Sequence, residues 1–281
     1  MPPLAGGGYT AEISPRGAAL RRLRHGERDL VTTWPEEGPV PYYAGTILAP
    51  WPNRVAGGRY TFGGEEHRLD LSEPERGNAL HGLVATADWR VAEWLAAEDD
   101  HAFVRLTHTV GHAPGYPFTL ELEVVHRLDA HGLTTTLTAV NTGDRPAPYG
   151  CAPHPWLLGG DVLQVPAERV LLTDEALLPR SLEDVAATPY DFRKARASGG
   201  IDVDHAFTGL TAGEVVAGGA RITWDPAVLP WVQVCTGEQL GYRGIAVEPM
   251  TCPPGAFNSG DDLVVLDPGD RHEASWTISA A

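Results

Sequence analysis

Apolar and polar residues alternate along much of the chain. Leu120, Leu122, Val124 and Leu128 share one face of an extended segment, and Glu121, Glu123 and Arg127 take the other. After the turn Asp129-Ala130-His131-Gly132 the pattern resumes, with Leu133, Thr135, Leu137 and Ala139 opposite Thr134, Thr136 and Thr138. Successive side chains of a strand point to opposite faces, so two such runs about a short Gly-containing loop predict a β-hairpin. Tyr60-Thr61-Phe62, Gly63-Gly64 and the run to Leu69 predict a second. Trp89–Trp94 and Ala102–Val110, joined across Glu98-Asp99-Asp100, predict a third. Further strands are expected at Arg221–Trp224, Trp231–Cys235, Gly244–Glu248, Asp262–Leu266 and Ala274–Ser279, each bounded by Gly or Pro.

Helical periodicity is weak. A short helical turn is expected only at Ser181-Leu182-Glu183-Asp184-Val185. Strands do not alternate with helices, which argues against a doubly wound sheet, and no solenoid or propeller period is found. The 32 Gly and 24 Pro are spread evenly, so no linker divides the chain. The expected fold is all-β: one large antiparallel domain over residues 1–281, a sandwich or barrel-like structure with few short helices.

Composition narrows the function by exclusion. Asp and Glu number 37 against 21 Lys and Arg, a net charge of −16. Nucleic-acid affinity comes mostly from Lys and Arg, so no nucleic-acid partner is expected. No run reaches the roughly 20 apolar residues of a membrane helix, so no membrane partner is expected either. The start, Met-Pro-Pro-Leu-Ala-Gly-Gly-Gly, has neither the basic nor the apolar region of a secretory signal. The cytoplasm is therefore the default location. Cys151, Cys235 and Cys252 are odd in number and have no C-x-x-C spacing, so they are expected to be free thiols.

Some familiar motifs fail on context. Gly6-Gly7-Gly8-Tyr9-Thr10-Ala11 fits G-x-G-x-x-[GA], but follows no predicted strand and opens no helix. His108 and His112 have the spacing of metal ligands on a helix, but their segment reads as a strand. There is no phosphate-binding loop and no G-x-S-x-G elbow.

Reactive side chains concentrate beside Pro or Gly in four places. These are Asn53-Arg54 after Pro50-Trp51-Pro52, Leu80-His81-Gly82, Pro153-His154-Pro155-Trp156, and Glu248-Pro249-Met250. A rigid strand end can present such a side chain in a fixed position. Added to these are Asp204-His205-Ala206-Phe207, Gln233 ahead of Thr236-Gly237, and Thr251 completing Glu-Pro-Met-Thr. In this order the motifs resemble those of the aldose 1-epimerase (galactose mutarotase) family. The resemblance runs from Gly17-Ala18-Ala19-Leu20 to Leu266-Asp267-Pro268-Gly269. One departure is Trp156-Leu157-Leu158, where the family usually has Tyr after His-Pro, followed by Phe and Asn. Trp keeps an aromatic face but lacks the phenol hydroxyl.

The resemblance implies a galactose mutarotase-like supersandwich and a reaction that opens and recloses a sugar ring. That reaction needs a base for the C1 hydroxyl and an acid for O5, expected on opposite sides of the C1–O5 edge. By resemblance, Glu248 is the base, His154 the acid, and His81 a hydrogen-bonding catalytic partner near O5. Asn53, Arg54, Asp204, Gln233 and Trp156 are the implied substrate-binding residues. The implied partner is a monosaccharide, the implied assembly a monomer or homodimer, and no cofactor or metal is called for. Two alternatives share the fold: a hexose-6-phosphate 1-epimerase, with Arg59, Arg68 and Arg76 as candidate phosphate readers, and a non-catalytic carbohydrate-binding protein. A glycoside hydrolase would need two carboxylates about the scissile bond, which the His–Glu pair does not supply.

Overall fold

The longest hairpin forms as its alternation requires. In the computed structural model, which describes residues 3–98, 101–158 and 162–281, Tyr116–Asp129 pairs antiparallel with Gly132–Asn141. Leu128 lies opposite Leu133, and Asp129 opposite Gly132. Leu120, Leu122, Val124, Leu128, Leu133, Leu137 and Ala139 are all buried. Gly132 has a φ of 116°, and a Cβ there would meet the Ile278 carbonyl oxygen at 2.3 Å, so the turn needs glycine. His126 and Thr135 fall on the same buried face and satisfy each other, Nδ1 to Oγ1 at 2.8 Å. His126 Nε2 lies 3.0 Å from the Ala18 carbonyl oxygen. A carbonyl only accepts, so Nε2 carries the proton and the Thr135 hydroxyl donates to Nδ1.

This hairpin belongs to a nine-stranded sheet. Its order is Arg90–Glu98, His101–Ala113, Tyr116–Asp129, Gly132–Asn141, Arg271–Ala280, Ala220–Trp224, Glu214–Ala217, Val162–Gln164 and Arg196–Ala197. A six-stranded sheet runs in the order Trp156–Leu157, Ile245–Met250, Trp231–Thr236, Asp204–Leu210, Ala167–Thr173 and Pro179–Asp184. Val104, Leu106, Leu122, Trp276 and Ile278 of the larger sheet share one buried cluster with Val170, Phe207, Val232, Val234 and Val247 of the smaller. Two sheets joined face to face by one core make a sandwich. Both sheets have free edges, so neither closes into a barrel.

The other predicted strands appear with shifted ends. Arg59–Phe62 and Glu65–Arg68 form the Gly63-Gly64 hairpin. Asp262–Leu266 shortens to Val264–Leu266. Arg90–Glu98 pairs with His101–Ala113, while Asp99 and Asp100 of the predicted connection lie outside the described residues. Two expectations are corrected. Ser181–Asp184 is the end of a strand paired with Ala167–Thr173, and the only helical turn there is the 3-10 turn Val185–Ala187. Gly6 does end a strand, and Gly7-Gly8 turn it back into Tyr9–Ser14, so the glycines serve a hairpin. Among the described residues, α-helix is confined to Ala256–Ser259, and no helix is long and apolar enough to cross a membrane. All three cysteines are buried free thiols.

Candidate active site

Alternation sorts the central strands of the smaller sheet. Val232, Val234, Ile245 and Val247 enter the main core, while their neighbours face the other way. That second face is covered by two smaller apolar clusters. One contains Leu48, Ala152, Leu171, Trp231 and Met250; the other contains Ala19, Trp34, Ala44, Trp156, Cys235 and Ala246. Along each strand, Gln233 and Glu248 fall between the two clusters, directly opposite one another. Both are buried, so polar groups sit inside an apolar frame.

His154 is held over this point by two short pairings. Ala152–Pro153 pairs with Ile47–Leu48, and Trp156 pairs with Ala246. Between them, the His154 N–H donates to the Thr46 carbonyl at 3.0 Å, and its carbonyl accepts from Gly45 N–H at 2.8 Å. The imidazole Nε2 then lies 3.4 Å from Glu248 Oε1, with side chains only 7% and 3% exposed.

Asn53 and His81 both adopt left-handed backbone, with φ of 54° and 61°. Each fixes the other. The His81 N–H donates to the Asn53 carbonyl at 2.9 Å, and the Asn53 N–H donates to His81 Nδ1 at 3.3 Å. Neutral His81 therefore carries its proton on Nε2 and offers a donor there. Gly82 follows with φ of 73°, and a Cβ on it would meet the Ala49 carbonyl oxygen at 2.1 Å. Ligating atoms of His81, His154 and Glu248 all lie within 4.8 Å of one another, so the three could hold a metal ion. Coordination through His81 Nε2 would first require its proton to move to Nδ1, against the Asn53 N–H.

Two polar pairs border this trio. Arg54 donates through Nε and Nη2 to Glu73, both at 2.8 Å, in a buried bidentate ion pair. Its Nη1 is 3.5 Å from Asn53 Oδ1. Gln233 Nε2 donates to Asp204 Oδ1 at 2.7 Å. Three buried atoms have no protein partner: Gln233 Oε1, Glu248 Oε2 and His154 Nδ1. Buried polar atoms are nearly always satisfied, so this cluster is equipped to bond a polar ligand.

Burial governs the titration of the site. It pushes Glu248 well above the usual carboxylate range, reinforced by the Asp204 charge and opposed by Arg54. It also raises Asp204, against the pull of Arg54 and the Gln233 hydrogen bond. Burial lowers His154 to about 4, and it holds His81 well below the ordinary imidazole value, helped by His154 and Arg54. A carboxyl made more basic thus meets an imidazole made more acidic.

The fold joins all eight residues singled out in the sequence. Asn53 binds His81, Arg54 flanks Asn53, and Gln233 links Glu248 to Asp204. Trp156 lies with its ring centroid 5.9 Å from that of His154. It is buried, donates Nε1–H to the Tyr42 carbonyl at 3.1 Å, and packs edge-on against Tyr242. Trp156 therefore backs His154, and the half-buried ring in the site is one the sequence did not single out. Tyr43 packs edge-on against His81 at 4.6 Å between centroids and tilts over His154 at 6.2 Å. Glu73, the partner of Arg54, is the second such residue. Both lie outside alternating strands, although the Pro74–Gly77 turn just before Asn78-Ala79-Leu80-His81 was a usable signal for Glu73. Of the candidate phosphate readers, Arg59 pairs with Glu66 and Arg76 with Glu73, each at 2.9 Å.

Comparison with known proteins agrees with this architecture. The family model for aldose 1-epimerase matches residues 4–279. The uncharacterized protein YihR of Escherichia coli (strain K12) is 37% identical, covering 98% of this chain and 91% of its own. Galactose mutarotase of Bos taurus is 24% identical, covering 83% and 78%. Among solved structures, galactose 1-epimerase from Lactobacillus acidophilus superposes with a TM-score of 0.79 at 23% identity, covering 98% of this chain and 92% of that one. A galactose mutarotase-like protein from Clostridium acetobutylicum reaches 0.86 at 15%, covering 99% and 94%. At these identities the structural likenesses speak to the fold alone. The family match over nearly the whole length decides the rest: the chain belongs to the aldose 1-epimerase family.

Proposed function

We propose that the protein interconverts the α and β anomers of a free aldohexose, such as glucose or galactose, by opening and reclosing the ring. The observation that carries this reading is the buried His154–Glu248 pair, Nε2 to Oε1 at 3.4 Å, with proton affinities displaced in opposite senses. In the reacting tautomer, with the pair's single proton on His154, the Glu248 carboxylate takes the proton of the C1 hydroxyl while the His154 imidazolium gives one to O5. The C1–O5 bond breaks and C1 becomes the aldehyde. Rotation about C1–C2 presents the other face, and the same groups return their protons as the ring closes. O1 and O5 are borne by one carbon, so a side-by-side acid and base suits the step better than the opposed arrangement expected from sequence.

Raising the carboxyl and lowering the imidazole makes one a stronger base and the other a stronger acid, which is the tuning that general catalysis requires. His81 Nε2–H is a neutral donor for O5 as its charge develops. Arg54 Nη1, the Asp204 carboxyl and the Gln233 amide would bond ring hydroxyls. Exchange NMR between the two anomeric protons tests the assignment. Glu248→Gln and His154→Asn should each slow exchange by about 10²–10⁴-fold, the size of a lost acid or base. A variant of either residue with near-normal exchange would remove that residue from the mechanism.

A further inference from the structure

We propose that Glu73 is a positioning residue that keeps the Arg54 cation from pairing with the two carboxyls of the site, Glu248 and Asp204. The proposal rests on the acid–base reading above. Arg54 is permanently charged, buried, and has a planar fork suited to gripping a carboxylate through two N–H groups. Glu73 occupies the Nε/Nη2 edge of that fork, and Nη1 lies 3.5 Å from Asn53 Oδ1.

Glu73 is itself held firmly. Its Oε1 also accepts from Arg76 Nη1 at 2.9 Å, and its Oε2 from Asn78 Nδ2 at 3.1 Å. Backbone bonds at 3.0 and 3.1 Å tie Glu73 and Asn78 to each other across the intervening turn. Asn78 opens the strand Asn78–Leu80, which pairs with Arg54–Ala56 and leads into His81. Glu73 is therefore anchored to the segment that carries His81.

The consequence falls on Glu248. The groups that face it are His154, His81, Asp204, Arg54 and the Cys235 thiol. Of these, Arg54 alone bears a permanent positive charge. It acts on both Glu248 and Asp204 across the site and stabilises their ionised forms. A full bidentate pair with Glu248 would do so far more strongly, because charge-assisted bonds gain strength in a buried site. It would also occupy the oxygens that must receive the substrate proton. With its Nε/Nη2 edge and its charge committed to Glu73, Arg54 is held back from Glu248, which remains a usable base.

Glu73→Gln removes the competing charge with little change in volume. The alkaline limb of the kcat/KM profile should then move to lower pH, with kcat falling roughly three- to tenfold as the base weakens. The ¹³C signal of the Glu248 carboxyl should titrate at lower pH than in the wild type, a readout that needs no turnover. In an Arg54→Gln background, Glu73→Gln should leave the Glu248 titration where it is, because the cation is already gone. A folded E73Q protein whose Glu248 titrates as in the wild type overturns the proposal. Should E73Q fail to fold, Glu73→Asp carries the same comparison, since the shortened side chain releases part of the fork. A wild type that exchanges no anomers would refute the epimerase reading, and the NMR titration would still decide the role of Glu73.

Discussion

Burial acts on Glu248 and His154 in opposite directions, and the sign of each effect defines a pH window. His154 takes up a proton only near pH 4, so above that value the pair shares a single proton. As pH falls through about 4 the pair gains a second proton and no base remains. As pH rises past the elevated value of Glu248 the last proton leaves and no acid remains. The two limbs belong to the pair as a whole. On the acid side, activity should therefore fall only toward pH 4, with no limb at about 6.5, the ordinary imidazole value. An acidic limb centred at the ordinary imidazole value would show that His154 does not titrate as its burial requires. Gly82 supports the same pair at one remove. Gly82→Ala would force a Cβ into the Ala49 carbonyl at 2.1 Å, so His81 must shift and exchange should slow, measurable against an unchanged circular dichroism spectrum.

Strands with one wet face were the legible ones. In Tyr116–Asp129 and Gly132–Asn141 the apolar positions repeat every second residue, and the structure buries those positions. Trp231–Thr236 and Ile245–Met250 are buried on both faces, so the sequence showed strands there without showing which residues turn toward the site. Gln233 and Glu248 stood out through their motifs, Gln233 ahead of Thr236-Gly237 and Glu248 opening Glu-Pro-Met-Thr. Ser181–Asp184 was misread because an edge strand with mostly exposed side chains carries no apolar alternation. His126 gives the buried hairpin a testable pH dependence. Its folded value is about 4, below the ordinary 6.5, so the unfolded chain binds more protons between those values and stability rises with pH there. The contribution of neutral His126 is lost as pH falls through that range, by about 3 kcal/mol at most. Urea unfolding at neutral pH and near pH 4 should show a smaller acid loss in His126→Gln than in the wild type. An identical loss in both would contradict this account.

At the scale of the molecule, the site is an assembly of distant segments. Asn53, His81, His154, Asp204, Gln233 and Glu248 come from six strands or strand ends that meet on one face of the six-stranded sheet and its covering loops. Tyr43 acquires its position only through that meeting, which is why no local pattern announced it, while Glu73 was signalled only by the turn at Pro74–Gly77. The C-terminal strand ties the whole together. Arg271–Ala280 lies between Gly132–Asn141 and Ala220–Trp224 and places Trp276 and Ile278 in the core. Deleting it leaves two unpaired edges inside the nine-stranded sheet, so the truncated chain should show no cooperative thermal transition. A truncated chain that melts cooperatively would mean that the two halves of that sheet stand independently. The central claim is that the His154–Glu248 pair opens and recloses a free aldose ring, and polarimetry tests it most directly. Freshly dissolved α-D-glucose or α-D-galactose should reach its equilibrium rotation faster with a catalytic amount of the protein than in buffer. An approach no faster than buffer across several free aldoses would contradict the account.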